Sequence, residues 1–259
     1  MSDFLDVLAR VAQINIEDGY YDNILPVENV RASLKRAILD CKFNPIIAEI
    51  KAASPSAGII RTNIEPALIA KAMEKGGATA LSVLTEPKQF SGSLETLAQA
   101  RKAVKLPILM KDIILSPVQI QACAKLGANA VLLIKALFDR GYSDKTLEEM
   151  IAGSHMLGLE VLLETHTLSE FDSGLQTDAD LIGINNRNLA TLKVDLSVTK
   201  TILQSINPEN KVIVSESGID TLAAIHSLRE SGASAFLIGS AIMLSNNIEE
   251  KVMEFVNAK

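Results

Sequence analysis

Glu49 and Lys51 stand two residues apart at the end of the apolar run Ile46-Ile47-Ala48-Glu49-Ile50. A run this short and rich in β-branched residues reads as a buried strand. The strand period of two then turns both side chains to one face. A carboxylate beside an ammonium can exchange a proton, hold an anion, or form an ordinary ion pair. Ser54-Pro55-Ser56 follows at once, where proline cannot continue a ladder and biases Ser54 to an extended conformation. What lifts this pair above a structural salt bridge is repetition. Later apolar runs also end on polar groups: Ser82 and Thr85, Lys111-Asp112, Ile134-Lys135, Glu164, Asn185-Asn186-Arg187, Glu216-Ser217-Gly218 and Gly239-Ser240.

These residue types suit acid/base chemistry on an anionic substrate. Lys51, Lys111 and Arg187 supply positive charge, while Glu49, Glu164 and Glu216 supply acid/base groups or orient the amines. The Ser217-Gly218 and Gly239-Ser240 steps let backbone N–H groups approach a phosphate closely. Lysines and carboxylates confined together shift each other's protonation. His155 and His226 fall within helical patterns and read as surface or packing residues, whereas His166 is placed to line the rim. No His/Cys/carboxylate group has metal-ligand spacing, so no metal is expected. Alternation that turns Leu132 and Ile134 inward turns Lys135 away from the axis, and its amine reads as structural.

The elements that must position these groups alternate along the chain. Strands are expected over 46–50, 80–84, 108–110, 130–134, 160–163, 181–184, 212–214 and 236–238. Helices are expected over 66–75, 94–104, 117–126, 145–157, 168–171, 196–203, 221–230 and 248–256. Such alternation implies parallel pairing through right-handed crossovers. One junction repeats as Gly77-Ala78-Thr79-Ala80, Gly127-Ala128-Asn129-Ala130 and Gly232-Ala233-Ser234-Ala235, with Gly as a left-handed cap past each helix. Ser116-Pro117-Val118-Gln119 supplies a matching helix start. Eight units at roughly 25–30 residue spacing predict an α/β fold of the (β/α)₈ barrel type. An open doubly wound sheet is the alternative, weakened by the lack of a Gly-rich dinucleotide loop after the first strand. Residues 1–45 carry two further helical patterns, Phe4/Leu5/Leu8/Val11/Ala12 and Val30/Leu34/Ala37/Ile38, joined by a loop at 19–23. They read as extra N-terminal helices closing one end, with the barrel starting at about 46 and one domain spanning 1–259.

Composition agrees. The 259 residues are 48% hydrophobic but only 4% aromatic, without Trp, so the core must be Ala, Val, Ile and Leu, as for helices laid on parallel strands. A net charge of -6 argues against a general nucleic-acid binder. Cys41 and Cys123 form no CxxC pair, which fits a reducing compartment. No secretion signal and no apolar run long enough to span a bilayer are evident. The expectation is a soluble cytoplasmic protein.

Taken together, the motifs resemble the indole-3-glycerol phosphate synthase family. The likeness is carried by Ile47-Ala48-Glu49-Ile50-Lys51 with Ser54-Pro55-Ser56, Leu81-Ser82-Val83-Leu84-Thr85-Glu86, Phe90-Ser91-Gly92-Ser93-Leu94 and Leu109-Met110-Lys111-Asp112. It continues through Glu164, Ile182-Gly183-Ile184-Asn185-Asn186-Arg187-Asn188-Leu189, Ser215-Glu216-Ser217-Gly218-Ile219 and Phe236-Leu237-Ile238-Gly239-Ser240. The resemblance implies ring closure of 1-(2-carboxyphenylamino)-1-deoxyribulose 5-phosphate with loss of carbon dioxide and water, in tryptophan biosynthesis, without any cofactor. It makes Lys111 the general acid and gives Lys51 both anion contact and proton delivery. Glu164 and Glu49 become acid/base partners, with Glu216 supporting the lysines. Asn185 and Arg187 would position the substrate, and Ser217, Gly218, Gly239 and Ser240 would hold its phosphate with Ser54 nearby. Ser82, Leu84, Phe90 and Leu132 would shape the aniline pocket. A monomer is expected, with other enzymes of the same pathway as candidate partners, and neither nucleic acid nor membrane.

Ala52, Ala57 and Ile113 depart from the family's common pattern, and the N-terminal helix lacks a Trp to lay on the substrate. None of these changes removes a proton-transfer group. Two competing functions use the same residues: a lysine Schiff-base aldolase or sugar-phosphate isomerase, and a non-catalytic phosphometabolite-binding barrel.

Overall fold

Short Ala, Val, Ile and Leu runs become strands here because both of their faces can be buried, one inside a closed sheet and one under helices. The computed structural model describes residues 3–28, 30–208 and 210–258. The strands are β1 (Ile46–Ile50), β2 (Ala80–Leu84), β3 (Ile108–Lys111), β4 (Ala130–Ile134), β5 (Glu160–Thr165), β6 (Leu181–Asn185), β7 (Val212–Glu216) and β8 (Ala235–Ile238). Each pairs in parallel with its sequence neighbour, and β1 also pairs with β8, so the sheet closes into a (β/α)₈ barrel.

Alternation divides the core in two. Ile47, Leu109, Leu132, Leu162, Leu181, Val212, Val214 and Leu237 point inward and fill the barrel. Ile46, Ala48, Ile50, Leu81, Val83, Val131, Leu133 and Ile182 point outward and pack under the helices. A one-residue slip would exchange these sets, so burial fixes the register. Truncating one of the buried leucines, such as Leu109→Ala, would cost about 2–5 kcal/mol.

The helix-to-strand repeat behaves as its glycines suggest, with φ of 90°, 75° and 106° at Gly77, Gly127 and Gly232. The strand bounds at the rim differ from expectation. β3, β5, β6 and β7 run on through Lys111, Thr165, Asn185 and Glu216. The ladder belongs to the backbone, and a polar side chain at its end does not interrupt it: Leu84 pairs with Lys111, Ile134 with Glu164, and Asn185 with Glu216. Helices Lys135–Asp139 and Ser240–Met243 are additional, as is a hairpin of Ala53–Ser54 with Gly58–Ile59 that turns at Pro55.

The N-terminal helices close both ends rather than one. Helix α1 (Phe4–Glu17) buries Leu5, Leu8, Ala9 and Ala12 and lies at the carboxyl ends of the strands. Arg140 pairs with Asp3 and Asp6 at 2.9 and 2.7 Å near its start. Just beyond its end the Tyr20 hydroxyl donates to the Thr85 carbonyl at 3.1 Å. Helix α2 (Leu34–Leu39) sits at the opposite end, where Glu160, the first residue of β5, accepts from the Ser33 hydroxyl and the Lys35 N–H. An amphipathic pattern tells which face a helix buries, not against what, so this split was not readable.

Candidate active site

Inward alternation delivers these side chains to the mouth: Glu49 from β1, Leu84 from β2, Lys111 from β3, Leu132 and Ile134 from β4, Glu164 from β5, Asn185 from β6 and Glu216 from β7. Lys51 and Gly239 lie just past β1 and β8. All border one cavity of about 210 Å³, together with Ser54, Phe90, Arg187, Ser217, Gly218 and Ser240. The sequence therefore brings fifteen of its sixteen candidate site residues to one place. Ser82 is the exception. It pairs in register with Glu49, one layer below Leu84, is fully buried, and does not border the cavity. Its hydroxyl has no hydrogen-bond partner among the described residues.

Two amine centres face this space. Lys51 Nζ lies 2.7 Å from Glu49 Oε2. Lys111 Nζ lies 3.0 Å from Glu164 Oε2 and 2.9 Å from Glu216 Oε2, carboxylates brought in by two other strands. Burial alone would lower the Lys111 pKa, but Glu164, Glu216 and Glu49 outweigh it and raise it, so the ammonium persists. Burial pushes the Glu216 carboxyl up, to about 8, against the pull of Lys111. Its Oε1 is buried without a hydrogen-bond partner among the described residues, so this carboxyl has both the tendency and the free oxygen to carry a proton.

The backbone behind Lys111 is fixed. Asp112, buried behind it, accepts from the Ile113 N–H at 2.8 Å, the Thr85 hydroxyl at 2.5 Å and the Tyr21 hydroxyl at 3.1 Å. Gln119 pins the following loop, its Oε1 accepting from Leu115 and Ser116 N–H and its Nε2 donating to the Ile113 carbonyl. Asn185 donates from Nδ2 to Glu164 Oε1 at 2.8 Å and accepts the Arg187 N–H at 2.9 Å, so it orients Glu164. Arg187 spends one N–H on the Leu192 carbonyl at 2.8 Å, bracing its own loop, and the rest of its fork has no further hydrogen-bond partner among the described residues.

Two glycines leave room for the carboxylates. A Cβ on Gly183 would meet Glu216 Oε1 at 2.2 Å, and one on Gly239 would meet Glu49 Oε2 at 2.2 Å and Lys51 Nζ at 3.0 Å. At Ser217 and Gly218 the backbone turns through φ of 67° and 78° directly after β7. Backbone N–H groups at such small residues are open to close approach by an anion.

Of the other residues considered, His166 borders a separate groove beside Arg140 and Glu170, its Nδ1 2.8 Å from the Asn185 carbonyl oxygen. Lys135 pairs with Asp139 along its own helix, away from the mouth. His155 pairs with Asp180 at 2.9 Å. Sequence reasoning missed Phe4 and Leu8, which α1 lays into the cavity where no Trp is available, and Glu86. The spacing of Phe4 and Leu8, one turn apart, was the only available signal. Among the described residues no group of three or more His, Cys, Asp or Glu is arranged to hold a metal ion, and no helix is long and apolar enough to cross a membrane.

The family model described as indole-3-glycerol phosphate synthase matches residues 6–255. The chain belongs to that family. It is similar to the indole-3-glycerol phosphate synthases of Dehalococcoides mccartyi strain CBDB1, at 42% identity over 96% of this chain and 100% of the relative. The enzyme of Methanocaldococcus jannaschii is 48% identical over 86% of this chain and 82% of the relative. That of Neisseria meningitidis serogroup C is 45% identical over 95% and 93%. A solved thiamine phosphate pyrophosphorylase from Pyrococcus furiosus superposes with a TM-score of 0.61 at 16% identity, covering 84% of this chain and 95% of that one. At that identity the likeness carries the barrel alone. As an indole-3-glycerol phosphate synthase family member the chain is a carboxy-lyase of tryptophan biosynthesis.

Proposed function

We propose that Lys111 is the general acid of indole ring closure and that the residues around it divide the remaining tasks. The substrate in this reading is 1-(2-carboxyphenylamino)-1-deoxyribulose 5-phosphate. The ring carbon bearing the carboxylate attacks the ribulose carbonyl carbon, a carbon–carbon bond forms, and the carbonyl oxygen takes the Lys111 proton. The carboxylate then leaves as carbon dioxide, and its bonding electron pair restores the aromatic ring. Lys51 gives a proton to the departing hydroxyl, which leaves as water, while Glu164 or Glu49 accepts the proton lost from the substrate. The observation that carries this reading is the Lys111 ammonium held between Glu164 and Glu216 beside an apolar wall of Leu84, Phe90 and Leu132.

Ser217-Gly218 and Gly239-Ser240, with Ser54, hold the phosphate, and Arg187 binds the substrate carboxylate. The barrel from 46 and the helical extension 1–45 act as one domain, in a cytoplasmic monomer that needs no cofactor, with other enzymes of the pathway as candidate partners. A Schiff-base mechanism would require a neutral amine, and the upward shift of Lys111 works against it. The test is incubation with the carboxyphenylamino substrate while following indole fluorescence, which a Trp-free protein does not obscure. Binding without turnover would favour a non-catalytic barrel, and a borohydride-trapped adduct on Lys51 or Lys111 would favour imine chemistry.

A further inference from the structure

Glu86 is fully buried and no task assigned above uses it. Its carboxylate is spent on the protein itself. Oε1 accepts the Lys88 N–H at 2.9 Å and the Asn15 side-chain amide at 3.3 Å, and Oε2 accepts the Gln89 and Phe90 N–H groups at 2.6 and 3.1 Å. The Glu86 carbonyl also accepts the Gly92 N–H at 2.9 Å. Its four side-chain contacts are all donors, and no ion pair to Glu86 is present among the described residues. A buried carboxylate without a cation persists only when N–H groups take the place of water.

Those contacts join three segments at the cavity. Phe90 borders it, and the Phe90 carbonyl accepts the Ala53 N–H at 3.2 Å, tying in the hairpin that carries Ser54. Asn15 belongs to α1, which brings Phe4 and Leu8 to the same cavity. We infer that Glu86 is a positioning residue: its carboxyl group gathers the 88–90 backbone and α1 so that Phe90 stands as the wall against the substrate's aromatic ring. This rests on the reading of Phe90 as part of the aniline pocket. Because every oxygen already accepts from the protein, Glu86 has no remaining part in proton transfer.

Glu86→Gln keeps the shape but sets an amide NH₂ against backbone donors, whichever way it turns. Steady-state kinetics of wild type, Glu86→Gln, Phe90→Ala and the double variant provide the test. We expect KM to rise about tenfold in Glu86→Gln with kcat held within about threefold, the signature of lost binding rather than lost chemistry. The double variant should then be no worse than Phe90→Ala, since one contact cannot be lost twice. A normal KM in Glu86→Gln beside a raised KM in Phe90→Ala would overturn the proposal alone, as would strictly additive effects. A fall of about 10²-fold in kcat at unchanged KM would overturn it by placing Glu86 in the chemistry. A normal KM in Phe90→Ala would instead defeat the pocket reading beneath it. Should Glu86→Gln not fold, Glu86→Asp keeps the charge but is too short to reach all three N–H groups. The same rise in KM is expected there, and wild-type constants in Glu86→Asp would overturn the proposal.

Discussion

The two lysine centres are almost equally exposed, at 15% for Lys51 and 17% for Lys111, yet they are built differently. Lys51, just past the end of β1, is paired with Glu49 two residues back, an arrangement the extended chain supplies locally. Lys111 is paired with Glu164 and Glu216, 53 and 105 residues away, an arrangement that exists only once the barrel has closed. An ammonium has three N–H donors. Lys51 spends one on Glu49 and has two more to offer. Lys111 spends two, and the third has its direction set by strands β3, β5 and β7. A fixed single donor suits proton delivery to one developing oxygen, and a freer one suits anion contact.

Removing each amine is the strongest way to break this comparison. Lys111→Met keeps length and an apolar stem, so kcat should fall by about 10²–10⁴ with substrate affinity nearly unchanged. Lys51→Met should raise KM and lower kcat together. Single-turnover rates and equilibrium binding, on variants with unchanged thermal transitions, separate these outcomes. Turnover of Lys111→Met within about threefold of wild type would leave a loss under ~1 kcal/mol, too small for a general acid.

The glycines sharpen the same contrast while both amines stay in the chain. Gly183→Ala places a methyl 2.2 Å from Glu216 Oε1, and so should loosen Lys111 and lower kcat by up to about 10²-fold. Gly239→Asp crowds Glu49 and sets an anion against the substrate phosphate, and should raise KM by about as much. The decisive measurement is the crossed pattern of kcat and KM. If both variants changed the same constant, the two centres would not have separate tasks.

Arg187→Lys is expected to have a smaller effect, about tenfold in kcat/KM. Lysine can take over neither the brace to the Leu192 carbonyl and a ligand contact at once nor a bidentate carboxylate grip. An unchanged kcat/KM would show that Arg187 only braces its loop.

How much of this could be read beforehand follows from periodicity. Alternation carried the inward set from Ile47 through Glu49 and from Leu162 through Glu164, so the rim was legible residue by residue. The same alternation cannot tell depth along the axis, which is why Ser82 belongs to the layer beneath the cavity. Lys135–Asp139 spans five residues, too short for a helical period to declare itself. Glu86 was invisible because its role consists of backbone N–H groups, which every sequence has. The docking of Phe4 and Leu8 over the mouth depends on tertiary contacts such as that of Arg140 with Asp3 and Asp6.

A last effect, on stability and not on turnover, concerns Asp112, a buried carboxyl at the same rim that accepts from two hydroxyls and an N–H where its neighbours have an amine. Burial lifts its pKa from 3.8 to about 6, against the pull of Thr85, Ile113 and Tyr21. The folded protein thus holds a proton between those values that the unfolded chain has lost. The contribution to stability is complete below the unfolded pKa and disappears as pH rises through about 6. Asp112→Asn imitates the protonated form, with an amide that can donate to the Thr85 hydroxyl and an oxygen that accepts from Ile113. The variant should match wild type near about pH 4 and gain on it at higher pH, by up to roughly 3 kcal/mol. Urea unfolding of both proteins across this range gives the difference directly. A difference that stays constant with pH would mean that Asp112 ionises without cost, and that hydrogen bonds alone can hold a carboxylate at this rim as well as an ammonium does.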